Sequence, residues 1–367
     1  MISRREWLAG IGLVGAGAAL SAPGVKLWPR DIPGKLLGAS HRRGHRLRDN
    51  TKATQNSGKA AQKPGAIETI DTGVVIIGAG AAGLSAAWRL HRAGRRDFVV
   101  LDLEDVAGGK SVAGEHRGQR FPWGAHYLPA PSSESNLVNE LLEEMGVIRG
   151  YVNRPSASAT PAQKLPVFDD AAVCQAPQAR LYRDGGWQRG TIPARGLTSE
   201  ARAQIARFSA QMAALRIARG ADGKRAFAIP ARHASTDPRW LALDNITFAA
   251  WADGEGYSDP DLRWYLDYCC RDDYGVAASK VSAWAGLHYF ASRDGLDQHG
   301  NEGVVLTWPQ GNAALTDHLR GLVSTQLRAA EMATQVVNIE RGVEVTALRF
   351  KEGGSVRYRA AAAICCC

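Results

Sequence analysis

The chain has 367 residues, of which 45% are hydrophobic and 22% charged, and its formal net charge is +9. This composition is typical of a soluble globular protein, and the length predicts two domains or one large domain with an insertion. No internal repeat is visible, and the six cysteines include no C-x-x-C spacing. The sequence therefore lacks the usual patterns of repeat proteins and of zinc sites.

Residues 1–30 are predicted to form an export signal. Arg4 and Arg5 stand in Ser-Arg-Arg-x-aromatic-Leu, which resembles the twin-arginine signal and implies the twin-arginine export machinery as a partner and a periplasmic location. The uncharged apolar run from Leu8 to Ala22 is shorter than the ~20 residues that span a bilayer comfortably. A Sec-type signal or a short membrane anchor is the alternative. No convincing A-x-A site precedes Pro23, so both cleavage and anchoring stay open.

Residues 31–70 are polar and basic, with HRRGHRLR at 41–48 and little apolar periodicity. This pattern predicts a disordered linker. A nucleic-acid-binding arm is the functional alternative, but no interleaved aromatic residues support it, and we expect no nucleic-acid partner. A contact with a phospholipid surface next to the signal stays open.

A glycine-rich turn is the strongest local signal. Val74–Ile77 form an all-apolar run typical of a buried parallel strand, and Gly78, Gly80 and Gly83 follow it as G-x-G-x-x-G. These glycines permit a tight turn, close approach of the backbone to a pyrophosphate, and close packing of helix on sheet. A helix over residues 81–93 would point its N-terminal amides at that phosphate. The sequence predicts an α/β fold with a Rossmann-like domain and a parallel sheet.

The segment after the second strand indicates which dinucleotide is bound. Phe98–Leu101 form that strand, Asp102 ends it, and Gly108, Gly109 and Lys110 follow. This pattern resembles the flavin-containing amine oxidase and protoporphyrinogen oxidase-like superfamily, whereas NAD-dependent dehydrogenases usually share only its first half. The resemblance implies FAD, with Asp102 on the ribose and the glycine pair along the pyrophosphate. The cofactor-binding residues predicted in this region are Gly78, Gly80, Ala81, Ala82, Gly83, Asp102, Gly108, Gly109 and Lys110.

A third block, FPWGAHYLP, covers Phe121–Pro129. The same resemblance implies that Gly124, Ala125 and His126 lie close to the isoalloxazine ring. Glycine and alanine let the backbone approach a flat ring, and His126 can donate or accept a proton. The alternative is that His126 and Tyr127 are packed core residues.

Residues 131–302 are predicted to form an inserted α+β substrate domain between the two parts of the FAD-binding domain, 71–130 and 303–367. Apolar residues at helical spacing predict helices over 133–147 and 198–219, the second capped by Thr198. A hairpin is predicted over 166–187, with its turn at the Arg-Asp-Gly-Gly sequence of residues 183–186.

Two blocks of this region, Trp264–Gly275 and Ser282–Phe290, combine aromatic and ionisable residues that could line a pocket opposite a flavin. The alternative is that the aromatic residues are core and that Arg271 pairs with its acidic neighbours. Lys280 is a weak candidate for the lysine that many amine oxidases hold near the flavin. The candidate pocket and catalytic residues are His126, Arg271, Asp272, Asp273, Tyr274, Lys280 and His288.

Leu306–Leu319 resembles the superfamily element that returns the chain to the cofactor domain and begins a helix. Alternating residues over 343–350 and 356–363 then predict a hairpin. In the family a valine of the first strand meets adenine through its backbone. Val345 is the best match here, and Val337 is a rival.

The chain stops at AAAICCC, where the superfamily continues with a second substrate segment and a closing flavin-binding element. We therefore expect that the C-terminal portion is missing, and the triple cysteine suggests a frameshift, truncation or fragment. The internal pair Cys269 and Cys270 is expected to stay as buried free thiols.

The resemblance implies an FAD-dependent oxidoreductase that removes hydride from a C–N or C–H centre of a small organic substrate. Desaturation of an apolar ring or polyene is the alternative reaction, and a truncated, non-catalytic flavin-binding remnant is the alternative class. No metal site is indicated.

Overall fold

A computed structural model describes residues 37–46, 48, 67–154, 163–174 and 179–367. The predicted export signal and most of the predicted linker lie outside the described residues. The chain divides into two compact units, residues 1–40 and 41–367. Only residues 37–40 of the first unit are described, and they form no helix or strand. Among the helices of the described ranges, none is long and apolar enough to cross a membrane.

The second unit contains both strands and helices. Its strands are β1 (Glu68–Ile77), β2 (Phe98–Asp102), β3 (Ala113–His116), β4 (Gln119–Pro122), β5 (Tyr127–Pro129), β6 (Ile148–Arg154), β7 (Gln163–Phe168), β8 (Arg180–Arg183), β9 (Gly186–Arg189), β10 (Val305–Thr307), β11 (Leu327–Ala329), β12 (Glu331–Ile339), β13 (Gly342–Arg349) and β14 (Ser355–Cys365). Its α-helices are α1 (Ala81–Arg92), α2 (Asn136–Glu144), α3 (Ser199–Ile217), α4 (Pro238–Leu241), α5 (Phe248–Gly254), α6 (Pro260–Tyr274), α7 (Ala283–Ala291) and α8 (Ala313–Leu322).

A six-stranded sheet in the order β11-β2-β1-β14-β13-β12 forms the centre of this unit. Strands β11, β2, β1 and β14 are parallel neighbours, and β13 and β12 continue the sheet antiparallel. The carboxyl ends of β1 and β2 therefore meet at one edge, where open α/β sheets bind their ligands. The predicted α/β fold with a Rossmann-like domain is confirmed.

Successive residues of β1 face two different cores, because side chains alternate across a strand. Ile76 packs with α1 and α8, in a cluster that includes Trp88 and Leu319. Val75 packs on the other face with residues of β13 and β14, among them Tyr358. Both faces of the parallel strands are thus covered, which explains why the run at 74–77 is wholly apolar.

A separate core lies among α3, α5, α6 and α7 and is rich in aromatic residues. Gly286 allows the closest approach there, since a Cβ on it would lie 2.3 Å from the ring of Phe248. Thr198 caps α3 by accepting the N–H of Ala201 at 3.0 Å. The predicted helix and its cap are confirmed.

The structure departs from the predictions at two places. The predicted hairpin is confirmed at its turn, Asp184 and Gly185, but its strands are β8 and β9. Residues 166–168 belong instead to β7, which pairs with β6. Within the predicted linker, residues 41–46 are helical and residues 68–70 begin β1. Arg43 contacts the loop after β2 and the Phe350 ring, and residues 68–70 pair with β14. Local composition does not show these distant partners.

Candidate dinucleotide and substrate site

The glycine turn between β1 and α1 has the geometry that its sequence predicts. Gly78 adopts a φ of +94°, and a Cβ on it would lie 3.0 Å from the carbonyl oxygen of Cys366. A Cβ on Gly83 would lie 1.8 Å from the carbonyl oxygen of Gly78, so only glycine lets α1 approach the strand this closely. At Gly80 the nearest atom to a Cβ would be the Cα of Gly109, at 3.8 Å.

The N-terminus of α1 suits an anion. Gly80 is the N-cap residue and gives no side-chain cap, and the first turn carries no acidic residue. Ala81 and Ala82 are exposed. Backbone N–H groups at the start of a helix lack partners within the helix and attract negative charge. The turn therefore fits the pyrophosphate of a dinucleotide.

Asp102 lies beside this turn at the end of β2. Its Oδ2 accepts the N–H of Ala79 at 2.9 Å, and its Oδ1 accepts the N–H of Glu104 at 2.8 Å. Burial raises the pKa of the Asp102 carboxyl above its usual value. The carboxylate holds the turn and the following loop together, and each oxygen keeps acceptor capacity for a ribose hydroxyl.

The Gly108–Lys110 loop joins the turn to the third block. Gly108 donates its N–H to the Ala79 carbonyl at 2.8 Å, and Lys110 accepts the N–H of Ala125 at 3.2 Å. A Cβ on Gly109 would lie 3.0 Å from the Cα of Gly80. The structure thus brings together the three glycine-containing segments that the sequence separates.

The third block is partly exposed. His126 lies at the surface, and Tyr127 is 48% exposed, so neither is the packed core residue of the alternative interpretation. The His126 Nδ1 lies 3.0 Å from the Gly124 carbonyl, and a carbonyl only accepts, so Nδ1 donates there. In the neutral imidazole Nε2 is then the acceptor. Thr307 donates its hydroxyl to the His126 carbonyl at 2.7 Å.

Helix α8 holds these loops in place through residues that sequence reasoning did not single out. Asn312 donates its backbone N–H to the Ala125 carbonyl at 3.0 Å. Thr316 donates to the Ser111 carbonyl at 3.3 Å, and Arg320 donates to the Ala107 carbonyl at 3.0 Å. Sequence reasoning places residues 303–367 in the cofactor domain, but the individual polar residues of this segment give no signal of these partners.

A cavity of about 310 Å³ adjoins Tyr127. Its walls combine aromatic residues with charged groups, and Asp273 pairs with Arg293 at 3.1 Å. Asp272 is exposed at the same wall. The residues around the cavity are Tyr127, Pro129, Ala130, Arg216, Asp272, Asp273, Tyr289, Phe290, Arg293, Gly295, Gly303, Val304 and Val305.

The other catalytic candidates do not line this cavity. His288 bonds the Ala228 carbonyl at 2.9 Å and stacks on Trp284, and burial lowers its pKa. The Tyr274 hydroxyl donates to the Ala285 carbonyl at 2.8 Å, and burial raises its pKa to about 12. Lys280 is exposed in the loop between α6 and α7. Arg271 pairs with Asp267, four residues before it.

The predicted adenine contact of Val345, with Val337 as its rival, stays a prediction, and the two residues have different surroundings. Val345 is fully buried in β13, between Val336 of β12 and Tyr358 of β14, so its backbone is enclosed by strands. Val337 is exposed in β12. Ala330 lies beside the loop after Asp102, because its N–H donates to the Glu104 carbonyl at 2.8 Å.

Cysteines and metal-binding groups add no further site. Cys269 and Cys270 are buried free thiols, as predicted, and burial raises their pKa values to about 11 and about 12. Within the described ranges, no group of three or more His, Cys, Asp or Glu side chains could hold a metal ion.

Residues 76–145 match the family described as NAD(P)-binding Rossmann-like domain. A search of curated proteins finds no match. Among solved structures, a putrescine oxidase triple mutant is similar with a TM-score of 0.55 at 16% identity over 80% of this chain. Cyclohexylamine oxidase from Brevibacterium oxydans gives 0.51 at 17% identity over 79%. A fatty acid isomerase from P. acnes that produces CLA gives 0.50 at 18% identity over 80%.

These similarities establish a shared fold. The chain spans 57% of the length of the two oxidases and 58% of that of the isomerase. The predicted resemblance to amine oxidase-like proteins is confirmed at the level of the fold, since the same arrangement of sheet and helices recurs in the two oxidases.

Proposed function

We propose that the protein is an FAD-dependent oxidoreductase that removes hydride from a C–N or C–H centre of a small organic substrate. One observation carries this proposal. The Gly108–Lys110 loop contacts both the glycine turn at Gly80 and the backbone of Ala125. Direct contacts therefore link the N-terminus of α1 to Ala125, two residues before Tyr127 at the cavity. Such an arrangement would suit an extended dinucleotide with a reactive ring at one end.

Residues along this path would bind different parts of the cofactor. The amides at Ala81 and Ala82 would bind the pyrophosphate, Asp102 the ribose, and the charge of Lys110 would neutralise phosphate oxygens. When bound, FAD supplies the hydride acceptor, its N5 atom. Gly124 and Ala125 would flank the flat ring, and the free Nε2 of His126 can accept a proton from substrate or water.

The cavity supports a polar substrate. Asp272, Asp273 and Arg293 bring charge to its wall, which would be costly to bury against a long apolar molecule. Two similar structures are oxidases of putrescine and cyclohexylamine, by name. Desaturation or isomerisation of an apolar chain is the second candidate, because a fatty acid isomerase shares the fold.

The absorption spectrum of the purified full chain tests the cofactor. We expect bound flavin, released as FAD on denaturation, and bleaching without oxygen when an amine is added. Asp102→Asn should lose flavin, because an amide keeps one acceptor oxygen for the two backbone donors. Asp97→Asn is the matched control at the other end of β2, where the side chain is exposed.

Three outcomes separate the alternatives. Bleaching by an unsaturated fatty acid rather than by amines would favour the second candidate. Bound flavin that no substrate class bleaches would indicate a non-catalytic flavin-binding protein. Absence of flavin under all refolding conditions, or NAD(P) in its place, would refute the proposal.

We further propose that residues 1–30 direct export of the folded protein to the periplasm through the twin-arginine machinery. The support is the Arg4–Arg5 pair with Trp7 and the short apolar run after it. A reporter fused behind residues 1–30 should lose periplasmic activity when Arg4 and Arg5 become lysine, whereas Arg30→Lys should keep it. Continued export of the double lysine variant would favour a Sec-type signal, and uncleaved reporter in the membrane fraction would indicate an anchor.

A further inference from the structure

The short basic helix at residues 41–46 lies against the loop that follows β2. Arg43 carries the contact: its Nη1 donates to the Leu103 carbonyl at 3.1 Å, and its Nη2 donates to the Asp105 carboxylate at 3.1 and 3.2 Å. Only 22% of the Arg43 side chain is exposed. A Cβ on Gly44 would also touch Leu103, at 3.9 Å.

This contact leads directly to Asp102. Leu103 and Asp105, which Arg43 holds, flank Glu104. The N–H of Glu104 donates to one Asp102 oxygen at 2.8 Å, and the other oxygen accepts the N–H of Ala79 in the glycine turn. Two hydrogen bonds therefore link Arg43 to Asp102: Arg43 donates to the Leu103 carbonyl, and the N–H of the next residue, Glu104, donates to Asp102.

We infer that Arg43 is a positioning residue for the adenosine end of the dinucleotide site, acting through the Leu103–Asp105 loop on Asp102. The inference rests on the dinucleotide site of the proposed function. It gives a role in cofactor binding to a segment that the sequence presents as a basic linker.

The contact requires the planar fork of arginine. The guanidinium lies over the Phe350 ring, 4.8 Å from its centroid, while it bonds a carbonyl and a carboxylate at the same time. Lysine has a point charge without a flat face, so it cannot satisfy these partners together. Arg42 is exposed on the same helix, and it offers a control for the loss of one positive charge.

The test compares the binding of three probes by the full chain: FAD, adenosine diphosphate and FMN, which lacks the adenosine half. Arg43→Ala and Arg43→Lys should raise the Kd of FAD and adenosine diphosphate about tenfold, as expected for one displaced charge-assisted contact. The Kd of FMN should stay within about twofold, and so should every Kd of Arg42→Ala. Hydrogen exchange of the amides at 103–105 should accelerate in the Arg43 variants and not in Arg42→Ala.

A purely structural role would lower the thermal midpoint and raise all three Kd values alike, and that result would overturn the inference. Equal effects of Arg42→Ala and Arg43→Ala would also overturn it, because charge alone would then explain the binding. If the wild-type protein binds adenosine diphosphate but not FAD, the proposed function fails while the comparison for adenosine diphosphate still tests Arg43. If no adenosine nucleotide binds, both the proposed function and the inference about Arg43 are refuted.

Discussion

Replacing Gly83 by alanine is expected to lower the free energy of unfolding by about 3 kcal/mol or more and to abolish dinucleotide binding. The new Cβ would lie 1.8 Å from the carbonyl oxygen of Gly78 and 2.9 Å from its carbon. Gly78 cannot move aside, because its N–H donates to the Leu101 carbonyl at 2.9 Å and the Cys366 carbonyl borders it. Helix α1 must therefore shift away from the strand that positions it. Urea unfolding and titration with FAD measure the two effects.

Gly321→Ala is the matched control for this variant. Gly321 also lies in a helix, α8, which packs with α1, but a Cβ there meets no atom within 4 Å. Alanine should leave dinucleotide binding unchanged and stabilise the protein by up to about 1 kcal/mol, since glycine is the less favourable helix residue. If Gly83→Ala unfolded at the same urea concentration as Gly321→Ala, close packing at the turn would not explain the glycine.

The glycine turn could be predicted because its determinants are local. Gly78 and Gly83 are in contact and lie only five residues apart in the sequence. The apolar run of β1 indicates that both faces of the strand are covered. The distance in sequence from Gly78 to Asp102 is likewise set by local structure, because only helix α1 and strand β2 lie in this stretch. Residue types within this stretch fix the backbone path, so few alternative structures suit the pattern.

Long-range partners could not be predicted in this way. Composition marks residues 41–46 as basic and polar, whereas Arg43 is ordered by a loop and by an aromatic ring far along the chain. Alternation correctly predicted β13, yet it could not tell that Val345 has a strand on each side and that Ala330 lies beside the Asp102 loop. Periodicity gives the buried face of a strand, not its neighbours.

The candidate catalytic residues likewise could not be ranked from the sequence. From the sequence alone, His126 and His288 are equally able to donate or accept a proton. The structure leaves His126 exposed beside Tyr127, whereas His288 is occupied by a carbonyl and an indole ring. Residue type states what a side chain can do, and its position decides whether a substrate can reach it.

The second large effect is expected at Arg225, which is buried between three segments of the helical region. Its side chain is 7% exposed and bonds Asp294 at 2.7 Å and Glu134 at 3.1 Å. Arg225→Met should lower the free energy of unfolding by about 3 to 5 kcal/mol, because two carboxylates are left without their cation. Arg95→Ala removes an exposed ion pair with Asp97 and should leave the midpoint of urea unfolding nearly unchanged.

The loss at Arg225 should depend on pH with a defined sign. Burial raises the pKa of Asp294 above its ordinary 3.8 even though Arg225 opposes this, so removing Arg225 must raise that pKa further. The folded variant then binds more protons than the unfolded chain above pH 3.8, and its stability falls as pH rises through that range. Urea unfolding at acid and neutral pH should show the smaller loss at acid pH. Arg225→Met combined with Asp294→Asn should recover part of the stability at neutral pH, and additive losses would show that the two residues are not coupled.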